Sequence, residues 1–298
     1  MTKNKNVDSP YKYLFSEIKS SINNDLSLSV CKVSFKQEKK DHSKINRRRI
    51  FFVPEVGISY KSYFPYFESL LLDNIASEVV TYDHFGGGLS GGRRGYNVRE
   101  KYYLLDFKSI LEFQNSDDMN SQLIVYGHGM GALVTLIAES EGVIKDAAGI
   151  VINDPFMKKI TSKRVVGFPQ LMRLKKLNRF FKSKSYAADD FFQGTQERIN
   201  FEYNCLNQQY INLDLSQTLQ YLSKSVIERA YLNERMILFM SRPANTYDNS
   251  ELINLYKKGV GENKVTSVEL KRHGHFDNFT RPSKEDFCEF KEWVDGLK

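Results

Sequence analysis

Short runs rich in apolar residues alternate with amphipathic stretches along most of this chain. The apolar runs predict strands at 50–53, 79–82, 123–126, 149–152, 236–240 and 267–271. The stretches between them carry apolar residues at helical spacing and predict helices at 63–74, 99–113, 132–138, 250–258 and 284–294. Buried strands separated by helices indicate an α/β fold, with a mostly parallel, doubly wound sheet flanked by helices.

The beginning of the chain departs from this alternation. Residues 1–25 are polar and are predicted to form an arm with a short helix at 11–21. Residues 26–37 alternate well enough to predict an edge strand, and 38–49 read as a charged connector. The core is therefore expected to be preceded by a polar N-terminal arm.

The most informative segment is the turn after the strand at 123–126. Residues 123–131 read L-I-V-Y-G-H-G-M-G, an apolar strand that runs into a glycine-flanked turn before the helix at 132–138. A turn of this layout pushes one strained side chain out over the end of a sheet. Gly129 stands at that position and has no side chain. Glycine adopts strained backbone conformations without a clash, so the turn is expected to form without presenting a reactive group.

The length of the chain leaves room for an insertion in the core. With 298 residues, 41% of them hydrophobic, the chain can bury a large core. No strand is predicted at about 156–230. We therefore expect an insertion at 156–230 that divides the core into 1–155 and 231–298.

Most of the net charge of +7 belongs to this insertion, because residues 157–188 contain ten lysines or arginines and no acidic residue. Apolar residues recur there near helical spacing, and basic residues take other positions: Leu171, Leu174, Leu177 and Phe181 against Arg173, Lys175, Lys176 and Arg179. This pattern is typical of a cationic helix on an anionic membrane surface. It is equally typical of a helix that packs its apolar stripe on the core. Nucleic-acid binding has only the charge in its favour, since no binding motif accompanies it.

The cysteines and the apolar segments bear on location and cofactors. Cys31, Cys205 and Cys288 are far apart and lack metal-type spacing, so we expect no metal and no cofactor. The start of the chain lacks the apolar stretch of a secretory signal, and the apolar segment at 123–138 is interrupted by glycines and a histidine. We expect a cytoplasmic protein, peripheral to the inner face of a membrane if the basic segment binds lipid.

Several segments, in the same order, resemble the monoacylglycerol lipase and lysophospholipase branch of the α/β-hydrolases. Residues 83–95 resemble the family's D-x-x-G-x-G-x-S … R-G stretch, G-H-G-M-G at 127–131 resembles its G-H-S-M-G elbow, and N-D-P-F at 153–156 resembles its N-S-P-F stretch. The insertion stands at the place of the cap, and 273–275 at the place of the histidine loop. The resemblance implies an α/β-hydrolase fold with a helical cap inserted after strand 6.

The resemblance also implies a set of catalytic positions. In that branch a serine attacks the ester carbonyl, a histidine takes its proton, and an acid fixes the tautomer of the histidine. Gly129 stands at the nucleophile position and Asn245 at the acid position. His275 matches the histidine, with His273 as an alternative.

Other acids and the oxyanion hole complete the candidate site. Asp248 and Asp154, which lies just past the strand at 149–152, are alternative acids. The backbone N–H of Met130 is expected to supply half of an oxyanion hole. The loop that carries a His-Gly pair beside the oxyanion hole in the family reads Pro54-Glu55 here. A carboxylate at that place has the wrong charge to stabilise a developing oxyanion.

The departures at Gly129, Asn245 and Glu55 favour a pseudo-hydrolase, which binds an acyl or lipid-like ligand or a protein partner instead of cleaving an ester. Two catalytic interpretations stay open. One is a lipase or esterase in which His275 activates a water, and the other is a serine hydrolase whose nucleophile has been exchanged for glycine. A further interpretation is a protein that binds a membrane surface through the basic segment.

Overall fold

A computed structural model gives the structure of the chain at 9–36, 47–94, 100–115, 121–155, 203–207, 213–229, 236–241, 249–271, 275–280 and 282–297. Eight strands form one sheet: β1 Tyr11–Lys19, β2 Ser27–Phe35, β3 Arg48–Val53, β4 Glu78–Tyr82, β5 Gln122–His128, β6 Ala147–Asn153, β7 Ile237–Ser241 and β8 Val265–Glu269. Their order in the sheet is β1-β2-β4-β3-β5-β6-β7-β8. The pairs β1–β2 and β2–β4 are antiparallel and all the others are parallel. The predicted α/β fold with a mostly parallel sheet is confirmed.

Helices flank the sheet on both faces. They are α1 Phe64–Leu72, α2 Glu100–Asn115, α3 Met130–Ser140, α4 Leu213–Arg229, α5 Ser250–Val260, α6 Asp277–Thr280 and α7 Lys284–Asp295. Two short 3₁₀ turns, Tyr60–Tyr63 and Glu262–Lys264, precede α1 and β8. In the part of the chain that the structure describes, no helix is both long and apolar enough to cross a lipid bilayer.

The first strand corrects one prediction, because the helix expected at 11–21 is wrong. Tyr11–Lys19 is a strand that pairs with β2 along its whole length and takes the edge of the sheet, so β2 is its second strand. The physical reason is a row of aromatic side chains at every second position. Tyr11 stacks on Phe35 and Tyr13 packs against Phe64 of α1. Alternate side chains share a face only in an extended chain.

The core lies on both faces of the sheet. Phe51 and Phe52 are successive residues of β3, and their side chains therefore point to opposite faces. The ring of Phe51 lies 5.0 Å from that of Phe107 on α2, and the ring of Phe52 lies 5.8 Å from that of Phe279 on α6. All four are fully buried. Burial of continuously apolar strands on both faces explains why their sequence pattern is so clear.

The insertion is described only in part. Its last helix, α4, packs against α3, and Leu222 and Val226 share a buried cluster with Ile137. The basic residues Arg173, Lys175, Lys176 and Arg179 lie outside the described residues. The proposed boundaries 1–155, 156–230 and 231–298 therefore stay predictions.

The order of the strands determines where a site can form. β3, β5 and β6 are neighbours and run parallel, so the loops at their carboxyl ends meet at one edge of the sheet. In parallel α/β sheets this edge is where ligands bind. The three loops carry Glu55, Gly129 and Asp154.

Candidate active site

The turn between β5 and α3 has the conformation that the sequence predicts. Gly129 has φ 57° and ψ −116°, and α3 begins at the next residue, Met130. The N–H of Gly129 donates a hydrogen bond to the carbonyl of Asn153 on the neighbouring strand, 3.0 Å away. A second glycine, Gly131, lets the helix approach β3, since a Cβ there would lie 2.2 Å from the carbonyl oxygen of Val53. The close approach of the two backbones therefore requires glycine at 131, whereas at 129 glycine avoids the strain that a residue with a Cβ would have.

The space beside Gly129 is filled by Glu55. A Cβ built on Gly129 would lie 1.6 Å from the Oε2 atom of Glu55 and 2.6 Å from its Cδ atom. It would also lie 3.1 Å from the Nε2 atom of His275. Glu55 is fully buried and comes from the loop after β3. Its carboxylate thus stands where a side chain at position 129 would project.

Three donors hold the Glu55 carboxylate. The N–H of Met130 donates to Oε2 at 3.1 Å, and the N–H of Val56 donates to Oε1 at 2.7 Å. The Nε2 atom of His275 lies 3.2 Å from Oε2. The Met130 amide belongs to the first residue of α3, where the helix dipole favours a negative charge. The amide expected to serve an oxyanion hole therefore binds a carboxylate of the chain itself.

The other side of His275 contacts Asp154. Its Nδ1 atom lies 2.5 Å from Oδ2 of Asp154, and both side chains are buried. Asp154 directly follows β6, has φ 41°, and donates its N–H to the carbonyl of Met240 at 2.8 Å. Aspartate tolerates this left-handed backbone region better than most residues. Of the acids considered from the sequence, Asp154 is the one placed beside His275, whereas Asn245, Asp248 and the alternative histidine His273 lie outside the described residues.

Glu55, His275 and Asp154 form a buried line of hydrogen-bonded side chains. An ionised carboxylate only accepts hydrogen bonds, so both contacts of His275 are satisfied when each ring nitrogen carries a proton. An imidazolium between two carboxylates leaves one net negative charge, and the α3 N-terminus faces it. Buried ion pairs with complete hydrogen bonding persist, but removal of one partner leaves an uncompensated charge.

A second chain of hydrogen bonds connects the loops that carry Glu55 and His275. The hydroxyl of Tyr63 accepts from the N–H of Glu55 at 3.0 Å and contacts Nδ1 of His128 at 2.9 Å. The Nε2 atom of His128 lies 3.1 Å from the carbonyl oxygen of His275 and must donate to it. Nδ1 of a neutral His128 then accepts from Tyr63. His128, which the sequence places in the elbow, thus ties the loops of Glu55 and His275 together.

The glycine-rich loop after β4 is held by its own aspartate. Asp83 is buried and accepts from the N–H groups of Tyr60 and Leu89, both at 2.7 Å. Burial raises the pKa of Asp83 to about 6, although these hydrogen bonds oppose the shift. Burial lowers the pKa of the neighbouring His84 to about 4, and its Nε2 donates to the carbonyl of Pro54 at 2.9 Å. Asp83 and His84 therefore fasten the glycine-rich loop to the loop that carries Glu55.

Sequence reasoning placed Glu55 near the oxyanion hole but did not find that it fills the nucleophile position. The contribution of Tyr63 was also missed, because an aromatic residue before a helix is indistinguishable from ordinary core. A detectable signal was the combination of Gly129 with an acidic residue directly after β3. Among the described residues, no three His, Cys, Asp or Glu side chains are grouped so that they could bind a metal ion.

The strand order, the elbow and the loops after β3, β5 and β6 define an α/β-hydrolase fold. The model of a family described as serine aminopeptidase, S33, matches residues 45–241, and the chain belongs to this family. No curated protein matches the chain by sequence.

Solved structures agree on the fold. A soluble variant of monoglyceride lipase from Saccharomyces cerevisiae, in complex with a substrate analog, has a TM-score of 0.73 at 15% identity, covering 96% of each chain. The monoacylglycerol lipase of Paleococcus ferrophilus has a TM-score of 0.69 at 17% identity, covering 91% of this chain and 99% of its own. The Pyrococcus furiosus esterase Pf2001 has a TM-score of 0.60 at 16% identity, covering 96% and 93%. The fold is thus the one found in monoacylglycerol lipases.

Proposed function

We propose that this protein is a pseudo-hydrolase: it keeps the α/β-hydrolase fold to bind an acyl or lipid-like ligand or a protein partner, and it does not cleave esters. The observation that carries this proposal is the Glu55 carboxylate at the position where a nucleophile would project from residue 129. A serine hydrolase needs a hydroxyl there, a free imidazole beside it and empty oxyanion donors. Gly129 lacks the hydroxyl, and Glu55 occupies both the imidazole and the Met130 amide.

Electrostatics supports the same conclusion. Donors aimed at the oxygen that becomes negative in the transition state supply much of the rate of acyl transfer. Here the Met130 amide is bonded to a carboxylate, and a second negative charge beside that oxygen would be repelled. The amide that would stabilise the oxyanion is thus already occupied by a side chain of the protein.

A water-based mechanism receives less support from the same geometry. That mechanism places a water activated by His275 in the space left by the missing side chain at 129. Glu55 fills that space, and its Oε2 atom already faces Nε2 of His275. Exchange of the nucleophile in an otherwise active serine hydrolase is disfavoured for the same reason, because a side chain at 129 would collide with Glu55.

The test is hydrolysis of p-nitrophenyl butyrate by the protein and by its His275→Ala variant. We expect no turnover above spontaneous hydrolysis in either protein. Circular dichroism at the assay temperature checks that both are folded. Turnover by the unaltered protein that disappears in a folded His275→Ala variant would contradict the proposal and establish a hydrolase.

A second proposal concerns the basic segment 157–188, whose charge pattern favours an anionic membrane surface as a partner. We expect the protein to sediment with vesicles of phosphatidylserine and phosphatidylcholine and not with phosphatidylcholine alone. Replacement of the four basic residues by glutamine should abolish this binding: Arg173, Lys175, Lys176 and Arg179.

The control for this experiment removes the same charge elsewhere, at four exposed lysines: Lys12, Lys108, Lys284 and Lys291. Binding should survive in the control and weaken as salt is added, since surface attraction is screened. Equal losses in the two variants would show that only the net charge matters. Binding that neither variant changes would remove the basic segment as a membrane contact.

A further inference from the structure

We propose that the elbow is a carboxylate-binding site and that the side chain of Glu55 is its resident ligand. The inference rests on the proposed function and names the chemical group that the elbow binds, a carboxylate instead of an ester. The site consists of the Met130 N–H and the Nε2 atom of His275, which converge on Oε2 of Glu55.

The two donors come from elements that do not carry the ligand. Met130 is the first residue of α3, and His275 precedes α6. Glu55 is brought to them by the loop after β3, where the Tyr63 hydroxyl and the Val56 N–H hold its backbone and its second oxygen. A receptor and a ligand can therefore be distinguished within one chain.

The donors select an anion. The amide at the N-terminus of α3 carries the positive end of the helix dipole, and the Nε2 atom of His275 lies beside it on the same carboxylate oxygen. A neutral ester or amide oxygen would accept the same hydrogen bonds but would gain less from the helix dipole. Hydrogen bonds to an ionised acceptor are stronger than those to a neutral one, which favours a carboxylate.

The experiment removes the resident ligand and supplies a free one. Glu55→Gly deletes the side chain but keeps the N–H that Tyr63 binds. Formate has the same three heavy atoms as the end of the deleted chain, Cδ, Oε1 and Oε2. We expect formate to raise the melting temperature of Glu55→Gly. The rise should follow the logarithm of the formate concentration above the dissociation constant and reach about 5 °C at 100 times that constant.

Three controls make the result specific. Formamide has the size of formate without its charge, and sodium chloride matches the ionic strength; neither should raise the melting temperature. In Glu55→Gln the amide side chain fills the site, so formate should have no effect. The unaltered protein should also be insensitive, because a tethered carboxylate has a far higher effective concentration than a free one.

The outcomes are separable from those of the ester assay. A formate-dependent shift that formamide does not reproduce supports the carboxylate site, whether or not the protein turns over esters. No shift in Glu55→Gly, or an equal shift with formamide, would overturn the inference even if no ester is cleaved. If Glu55→Gly shows no cooperative unfolding transition in buffer alone, a transition that appears after refolding in formate supports the carboxylate site. A transition that stays absent in formate overturns the inference.

Discussion

The double variant Glu55→Gly, Gly129→Ser is expected to hydrolyse p-nitrophenyl butyrate, while Gly129→Ser alone is not. In the single variant the new Cβ would meet Glu55 Oε2 at 1.6 Å, so the two side chains cannot occupy their places together. In the double variant the carboxylate is gone and the Cβ would lie 3.1 Å from His275 Nε2, within reach of a hydrogen bond from the new hydroxyl. His275 already has its acid in Asp154.

The expected gain in ester hydrolysis is large because the new serine, His275 and Asp154 would act as a unit. Loss of the nucleophile or the histidine from a working triad costs about 10⁶-fold in kcat. A newly assembled triad should recover part of this loss. We expect kcat/KM of the double variant to be at least about 100-fold above that of the unaltered protein. The backbone strain of a serine at positive φ, about 1–3 kcal/mol, sets the main cost in stability.

The matched control adds Asp154→Asn to the double variant. Turnover should fall to the level of the unaltered protein, since an amide does not stabilise the imidazolium that forms during the reaction. If turnover is unchanged, Asp154 is not the acid, and the loop that contains Asn245 and Asp248 must supply it. A folded double variant without any turnover would show that more than Glu55 blocks catalysis.

The sequence was sufficient for the fold because the buried parallel strands are continuously apolar and the turn at 129 needs glycine on both sides. It was insufficient for β1, whose charged residues Lys12, Glu17 and Lys19 resemble those of a polar arm. Edge strands keep one side in water, so their pattern is weaker than that of a central strand. Aromatic contacts with other elements, which a local pattern does not contain, decide this segment.

The site was only partly predictable for a related reason. Gly129, Glu55, Met130 and His275 could each be assigned by position, but the direction of the Glu55 side chain could not. The side chain reaches residue 129 because the Tyr63 hydroxyl holds the backbone N–H of Glu55 and the Met130 amide binds Oε2 of its carboxylate. Residues far apart in the sequence thus determine whether an acid after β3 points into the elbow. The choice between acids likewise depended on the sheet, which places β6 beside β5.

His275→Ala is expected to destabilise the protein by about 3–5 kcal/mol, because it leaves two buried carboxylates, Glu55 and Asp154, without the cation between them. The melting temperature should fall by about 5–8 °C for a chain of this size. In an enzyme whose histidine only serves catalysis, the same change would affect turnover far more than stability. Urea unfolding of the two proteins at pH 7 measures the difference.

A double-mutant cycle shows whether the loss comes from the Glu55 charge. Glu55→Gln in the His275→Ala background removes one uncompensated charge at constant shape, and it should recover part of the lost stability. The same substitution in the unaltered protein should destabilise, since it takes the partner from His275. Opposite signs in the two backgrounds would mean that His275 is retained as the counter-ion of Glu55. Equal effects would mean that the two residues do not interact, and that His275 is not retained because of its contact with Glu55.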